Sequence, residues 1–302
     1  MVILLTNCTK YILNRIQKSV QRPKTVDKQI ITNERMINMR KITALAASLI
    51  LSLGVLAGCG STQKDTEKLT VGASAVPHAE ILENVREDLK ELGYDLEVTI
   101  FNDYVLPNKA LSEGQLDANF FQHIPYLEEM NTNEDLGLTW TVKVHIEPMG
   151  LYSDKITSLE ELPDGASIAI PNDATNGSRA LKLLASNGLI TLKDTEVASV
   201  LDITGNTKNL QFTELDAPAL PRTLVDVDAA VINTNYAIEA DLNPLEDAII
   251  IESSESPYAN VIAVREADKD SDKIKALSDV LNSEKTRTFI EEKYDGSIFP
   301  AF

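Results

Sequence analysis

The sequence predicts an α/β fold of two lobes, each a mostly parallel sheet flanked by helices. Two observations carry that expectation. From Leu69 onward, short apolar runs with a period of two alternate with stretches of helical period, the pattern of parallel βαβ units. A second pattern recurs: Gly114-Gln-Leu-Asp117-Ala-Asn119 and Val225-Asp-Val-Asp228-Ala-Ala-Val-Ile-Asn233 each pass through Asp-Ala into an apolar run that ends near asparagine. One plan used twice is the expectation for two similar lobes.

Taken in order, Leu69–Ala73 reads as a strand. Ala79–Leu92 reads as a helix with Ile81, Leu82, Val85, Leu89 and Leu92 on one face and Gly93 past its end, and Leu96, Val98 and Ile100 alternate as a second strand. A helix around Pro107–Ser112, a strand at Asp117–Phe121, a helix around Tyr126–Glu134 and an extended run from Trp140 to Tyr152 follow. Ser158-Leu-Glu-Glu161 has capping-box spacing. Next come a strand at Ser167–Ile170, a helix from about Ser178 to Ser186, and strands at Leu210–Phe212 and Ala229–Ile232, with Pro218 and Pro221 around a short helix between the last two. The extended runs at His145–Tyr152 and Ile249–Ser256 are the expected connections between lobes. This gives residues 69–147 plus about 252–302 as lobe 1 and about 148–251 as lobe 2. Ligands of open α/β sheets sit beyond the carboxyl ends of strands, so the cleft between the lobes is the default site.

Upstream of the lobes, Arg40 and Lys41 precede an apolar stretch, Ile42–Ala57, that is short for a bilayer span and closes on Leu56-Ala57-Gly58-Cys59. This stretch is a secretion signal over residues 39–58, and its end resembles the lipobox of bacterial lipoproteins, in which the cysteine is acylated and becomes the mature N-terminus. Cys59 is then a lipid anchor. Residues 1–38 read as a start-site extension, with Met39 a candidate start, and residues 59–68 as a polar tether.

Nine of the 28 Lys+Arg and two of the 46 Asp+Glu lie in residues 1–59, so 19 basic and 44 acidic residues remain beyond Cys59, a net charge of −25. A body this acidic repels nucleic acid and anionic lipid, which leaves the lipid as the means of attachment. Of the two cysteines only Cys59 survives signal cleavage, so no internal disulfide or thiolate metal cluster is expected. Enzyme motifs are missing: Ser61-Thr-Gln-Lys64 fits Ser-x-x-Lys but lies in the tether, and there is no nucleophile elbow, phosphate loop or His-Glu-x-x-His. His78, His123 and His145 are the only histidines and lack His-x-His spacing, so no metal site and no cofactor are expected.

The strand-end segments carry a family likeness. Gly72-Ala-Ser-Ala-Val-Pro77-His78, Phe101-Asn-Asp-Tyr104-Val-Leu-Pro-Asn108, Ala118-Asn-Phe-Phe121-Gln-His123-Ile-Pro-Tyr126-Leu, Ile170-Pro-Asn-Asp-Ala-Thr-Asn176-Gly-Ser-Arg179-Ala-Leu, Val231-Ile-Asn233-Thr-Asn-Tyr236 and Tyr258-Ala-Asn260-Val-Ile together resemble the NlpA-type methionine-binding lipoproteins, the substrate receptors of a methionine ABC importer. The likeness covers Leu69–Phe302 and the lipobox. It implies a periplasmic-binding-protein-like fold of type II with its ligand between the lobes.

The resemblance also implies roles. Arg179 matches the residue that meets the ligand carboxylate; in the expected first turn of a helix, a guanidinium and free N–H groups would hold an anion together. A surface ion pair in this acidic chain is the bland alternative. Tyr104, Phe121 and Tyr126 match the side-chain pocket, where aromatic rings suit a thioether; Phe120, one residue from Phe121 on a strand, points to the opposite face and into the core. His123 lies at the pocket edge. Asn233 and Asn260 match the asparagines that hold the polar end of the ligand, and Asn176 contributes similarly or serves as a turn residue. The implied partners are methionine, an ABC permease with its ATPase, and the membrane through Cys59, with the protein a monomer on the extracytoplasmic face. Two alternatives stay open: a receptor for a methionine-containing dipeptide or another apolar amino acid, and an envelope or adhesion lipoprotein without a transport role.

Overall fold

The computed structural model describes residues 66–253 and 256–302. The export signal, Cys59 and the Ser61–Lys64 segment lie outside the described residues. No helix among the described residues is long and apolar enough to cross a membrane.

The first strand, β1 (Glu67–Ala73), begins two residues before Leu69 and takes in the end of the expected tether. The helix expected over Ala79–Leu92 is broken. A wide turn at Ala75–Ala79 leads into α1 (Glu80–Asn84), and Val85, at φ −102° and ψ 4°, interrupts the ladder before α2 (Arg86–Glu91). The break turns Leu92 out of the apolar face, and it is 50% exposed. Then come β2 (Tyr94–Ile100), α3 (Leu106–Ser112), β3 (Ala118–His123), α4 (Ile124–Glu134), β4 (Leu138–Ile146) and β5 (Gly150–Tyr152). Ile100, placed inward by alternation, is 47% exposed because β2 is a sheet edge.

Ser158 makes no capping bond to the short turn at Leu159–Glu161; Glu161 instead accepts from the N–H of Thr157. The capping box forms at Ser199 and Asp202. After the Leu159–Glu161 turn come β6 (Ser167–Pro171), α5 (Ala174–Ser186), β7 (Thr191–Leu192), β8 (Ile203–Gly205), β9 (Gln211–Leu215), α6 (Leu220–Thr223), β10 (Ala229–Ile232), α7 (Thr234–Glu239), β11 (Ile250–Ile251), β12 (Ala259–Arg265), α8 (Asp272–Leu281), α9 (Glu284–Tyr294) and β13 (Phe299–Pro300).

Two large sheets result among the described residues, in the orders β13-β4-β12-β3-β1-β2 and β11-β5-β10-β6-β9, beside a two-stranded pair of β7 and β8. Each is parallel at its core and antiparallel where the crossing chain joins it. β1 pairs in parallel with β2 and β3, and β6 with β9 and β10, whereas β4, β12 and β13 in the first sheet and β5 and β11 in the second pair antiparallel. The strands by which the chain enters a lobe, β12 and β5, run against the parallel set, while β4 and β11, by which it leaves, run with that set but pair to the entering strand. Residues 147–149 form one crossing, and the described residues 252–253 and 256–258 belong to the other.

The repeated Asp-Ala segments have a shared physical role. Asp117, just before β3, accepts the N–H of Thr70 at 2.8 Å, and Asp228, just before β10, accepts the N–H of Ser167 at 2.8 Å. In each lobe an aspartate thus ties two parallel neighbours together at their amino ends.

Alternation splits each sheet between two cores. Ile168, Ile170 and Val231 join Leu181 and Leu184 of α5 on one face, while Ala169, Ala230 and Ile232 join Tyr152 and Leu220 on the other. Leu181 and Leu184 anchor α5; truncating either to Ala should cost about 2–5 kcal/mol. Within α5, Gly177 permits close approach to β6: a Cβ there would stand 2.9 Å from the carbonyl oxygen of Pro171.

Candidate functional site

The carboxyl ends of β3, β6 and β10 and the amino end of β12 meet at the crossings, and the side chains at and just past them form the site. At the end of β3, Phe120 and Phe121 do point to opposite faces. Phe120 packs edge-on to His78 and His145 at 4.7 and 5.2 Å, in the lobe 1 core. Phe121 lies 5.8 Å from Tyr104 and 6.1 Å from Tyr126, and these two rings are 5.9 Å apart, with Met130 behind them. The Tyr104 hydroxyl donates to Asn235 Oδ1 at 2.6 Å, and Tyr236 closes the group 5.1 Å from Tyr104. The result is an apolar wall with its hydroxyls bonded. Burial raises the Tyr104 phenol well above its ordinary range, so it stays a neutral donor.

His123 caps α4. Its Nδ1 accepts the N–H of Tyr126 at 3.2 Å, which leaves the ring proton on Nε2, 3.1 Å from Asn176 Oδ1. The same Asn176 oxygen accepts from Asn233 Nδ2 at 2.9 Å. Asn176 therefore joins β3 of the first lobe to β10 of the second, while its own Nδ2 is held by Asp173 at 3.0 Å. Burial, with Arg179 nearby, lowers His123 to about 3, so the imidazole is neutral at physiological pH.

Arg179 is placed differently from the sequence expectation. The helix starts at Ala174 with Asp173 as its N-cap, four residues earlier than the periodicity suggested, because Asn-Gly-Ser looked like a loop. Arg179 thus sits in the second turn, where the end charge of the helix has little hold on it. It is 3% exposed and is no surface ion pair. Nε and Nη2 donate to Glu252 at 2.8 and 2.5 Å, and Nη2 donates to the carbonyl of Glu147 at 2.6 Å. The guanidinium carbon lies 4.3 Å from the centre of the Tyr258 ring, which in turn packs on His123 at 5.0 Å.

Asn260, at the start of β12, has its Oδ1 3.1 Å from Nε2 of His78, and His78 also approaches Glu147 Oε1 at 3.2 Å. His145 donates to that same oxygen at 2.6 Å, and the other oxygen of Glu147 accepts the N–H of Asn235 at 3.0 Å. Burial lowers His78 to about 4 and His145 to about 3, so both are neutral donors. Burial pushes the Glu147 carboxyl up, against the pull of His78, Arg179 and the Asn235 N–H.

His78, His145 and Glu147 therefore meet, with ligating atoms within 4.8 Å of one another. Sequence reasoning passed over His145-Ile146-Glu147, whose period-two spacing on an extended chain was the available signal. The 2.6 Å spacing is that of a hydrogen bond; two ligands each about 2 Å from one tetrahedral zinc stand roughly 3.3 Å apart. The cluster is a proton-held network.

Residues given no site role by the sequence expectation also join the site: His78, His145, Glu147, Asn235, Tyr236, Glu252 and Tyr258. Two amide atoms of the site, the acceptor Asn233 Oδ1 and the donor Asn235 Nδ2, are buried without a hydrogen-bond partner among the described residues, as are Nδ1 of His78 and of His145. An acceptor, a donor and the remaining Nη1 of Arg179 beside an apolar aromatic wall suit a small zwitterion with an apolar tail.

Residues 69–302 match the NlpA lipoprotein family. The chain is 47% identical over 267 residues to the methionine-binding lipoprotein MetQ of Bacillus subtilis (strain 168), across 85% of this chain and 97% of that one. It is 42% identical over 261 residues to the D-methionine-binding lipoprotein MetQ of Escherichia coli (strain K12), across 85% and 96%. Among solved structures, a nutrient binding protein from Burkholderia cenocepacia bound to methionine is similar with a TM-score of 0.76 at 47% identity, covering 78% of this chain and 100% of that chain.

Proposed function

The chain belongs to the NlpA lipoprotein family, and from that membership and the chemistry of the cleft we propose that it is an extracytoplasmic receptor that captures methionine for an ABC importer. One observation carries the reading to the ligand: a guanidinium and two buried asparagines with an orphaned acceptor and donor stand next to the Tyr104–Phe121–Tyr126 wall. The α-carboxylate of methionine meets Nη1 of Arg179, the ammonium meets Asn233 Oδ1, and the thioether lies against the rings. Asn260 and His123 complete the polar rim, and Asn176 holds it together across the lobes.

The rest follows from the kind of receptor this is. Acylation of Cys59 holds the protein at the outer face of the cytoplasmic membrane, the tether frees the lobes, and a permease with its ATPase receives the ligand. The receptor is a monomer, and no catalytic step is part of its work. The His-Glu-His cluster belongs to the scaffold rather than to a reaction.

The test is to denature protein purified without added amino acids, identify the released small molecule by mass spectrometry, and titrate ligand-free protein with L-methionine and other amino acids. Release of methionine, or a methionine-dependent rise in melting temperature of the size mass action requires, supports the reading. A protein stabilised by no amino acid supports the envelope-lipoprotein alternative. Membrane fractionation of Cys59→Ala tests the anchor: the variant should be found in the soluble or secreted fraction.

A further inference from the structure

We infer that Glu147, buried in the first interlobe crossing, is a positioning residue that couples lobe closure to the binding groups. The inference rests on the ligand reading above for its second half only.

The geometry is unusual for one carboxylate. Oε1 receives Nε2–H from His145 on β4 at 2.6 Å and stands 3.2 Å from Nε2 of His78 beyond β1, both in the first lobe. Oε2 receives the backbone N–H of Asn235 on α7 at 3.0 Å, in the second lobe. The carbonyl of the same residue receives Nη2 of Arg179 on α5, also in the second lobe. One further bond leads to other binding groups: His78 to Asn260 Oδ1, and Asn235 Oδ1 to the Tyr104 hydroxyl. Arg179, Asn260 and Tyr104 are thus each linked to Glu147 directly or through a single residue. A group that touches no ligand can in this way fix the position of three that do.

Burial makes the arrangement exacting. His78 and His145 are 1% and 0% exposed, and a buried donor that loses its acceptor has no water to replace it. If the lobes separate, the bonds to Asn235 and Arg179 stretch while the His145 bond and the His78 contact stay with lobe 1. The carboxylate therefore favours the closed arrangement by satisfying donors from both sides at once. Glu147 acts on Arg179 through backbone position, so its effect on affinity comes from where the guanidinium is held.

The test compares Glu147→Gln and Glu147→Ala with the wild-type protein and with Ile168→Val, a change in the lobe 2 core away from the network. Two quantities are read: the radius of gyration by small-angle X-ray scattering without ligand, and the dissociation constant for L-methionine by calorimetry. Glu147→Ala should expand the ligand-free protein and weaken methionine binding by about ten- to a hundredfold, the scale for residues that orient binding groups from behind. Glu147→Gln keeps an acceptor for the histidines but places an NH2 against the Asn235 N–H or the imidazoles, so it should fall between. Ile168→Val should lower the melting temperature and leave both readouts unchanged. If Glu147→Ala fails to fold, Glu147→Gln carries the comparison. The inference is overturned if the folded Glu147 variants lose melting temperature yet keep wild-type scattering and affinity. If the wild-type protein binds no methionine, the ligand reading fails, and the scattering comparison alone decides whether Glu147 ties the lobes.

Discussion

Glu252 accepts from Nε and Nη2 of Arg179 at 2.8 and 2.5 Å, so the side-on fork of the guanidinium is committed within the protein. Nη2 also reaches the Glu147 carbonyl. One arginine fastens both interlobe crossings to α5, and Nη1 is the part outside these bonds. A ligand carboxylate in the proposed site meets a single nitrogen of the guanidinium.

That relationship sets the expected behaviour of Arg179 variants. Arg179→Ala removes the contact to the ligand and leaves the Glu252 carboxylate, 13% exposed, without its counter-charge. Methionine affinity should drop by roughly 2–5 kcal/mol, about thirty- to several-thousand-fold, and ligand-free stability should fall as well, by about 3 kcal/mol or more if the site stays dry. Arg179→Lys should lose nearly as much stability, since an ammonium cannot serve Glu252 and the Glu147 carbonyl in the same geometry. Calorimetry and ligand-free melting check both; unchanged melting in either variant would show that the pair is not a clamp.

The sequence showed most of the fold because the apolar periods of β1, β6 and β10 are set by burial on known faces. It failed at ends, where tertiary contacts decide. The start of α5 was misplaced because Gly177 reads as a breaker, yet its missing Cβ is what lets the helix meet β6. Antiparallel strands at the crossings were hidden because direction within a sheet depends on where the chain crosses between lobes, which local pattern does not encode. Of the site, the rings and amides on strand ends were legible from the resemblance. Glu147 and Glu252 were not: a lone carboxylate in a chain this acidic looks like solvated surface until folding buries it.

The three histidines give the fold an acid sensitivity with a definite sign. His78 is lowered to about 4, and His123 and His145 to about 3, mainly by burial. The unfolded chain takes up protons near pH 6.5, and the folded protein does not until far lower. Between those values the unfolded state binds more protons, so stability is full above about 6.5 and is lost as pH falls toward 4. Each histidine contributes a slope of up to about 1.4 kcal/mol per pH unit. His145→Gln, which keeps a donor for Glu147, should reduce that slope by one histidine's share in urea unfolding at pH 6.5 to 4.5. An identical slope in wild type and variant would place the sensitivity elsewhere.

Asn176 offers a separate test of the cross-lobe contact. Its Oδ1 accepts from His123 on one side and Asn233 on the other. Asn176→Ala leaves two buried donors unpaired, at about 1–3 kcal/mol each, and should both lower the melting temperature and weaken methionine binding. Asn176→Asp should destabilise further, because its carboxylate would stand beside Asp173, whose own carboxyl is already pushed up by burial. The Asp variant should recover as pH is lowered toward the carboxylate range, whereas the Ala variant should not. Parallel pH profiles for the two would contradict the assigned contact.

The aromatic wall makes the sharpest claim about the ligand. Tyr104, Phe121 and Tyr126 stand 5.8 to 6.1 Å apart, close enough for one thioether to touch more than one ring. A sulfur–ring contact adds about 0.3–1.5 kcal/mol to ordinary apolar burial. Norleucine, which keeps the length of methionine and replaces sulfur with a methylene, should therefore bind about two- to twelvefold more weakly for one such contact. Phe121→Leu keeps most of the apolar volume and removes a ring, so it should weaken methionine more than norleucine and narrow the gap between them. Competition calorimetry with the two ligands on both proteins measures this directly. Equal binding of methionine and norleucine by the wild-type protein would mean that the pocket reads apolar volume alone and that the rings serve only as packing.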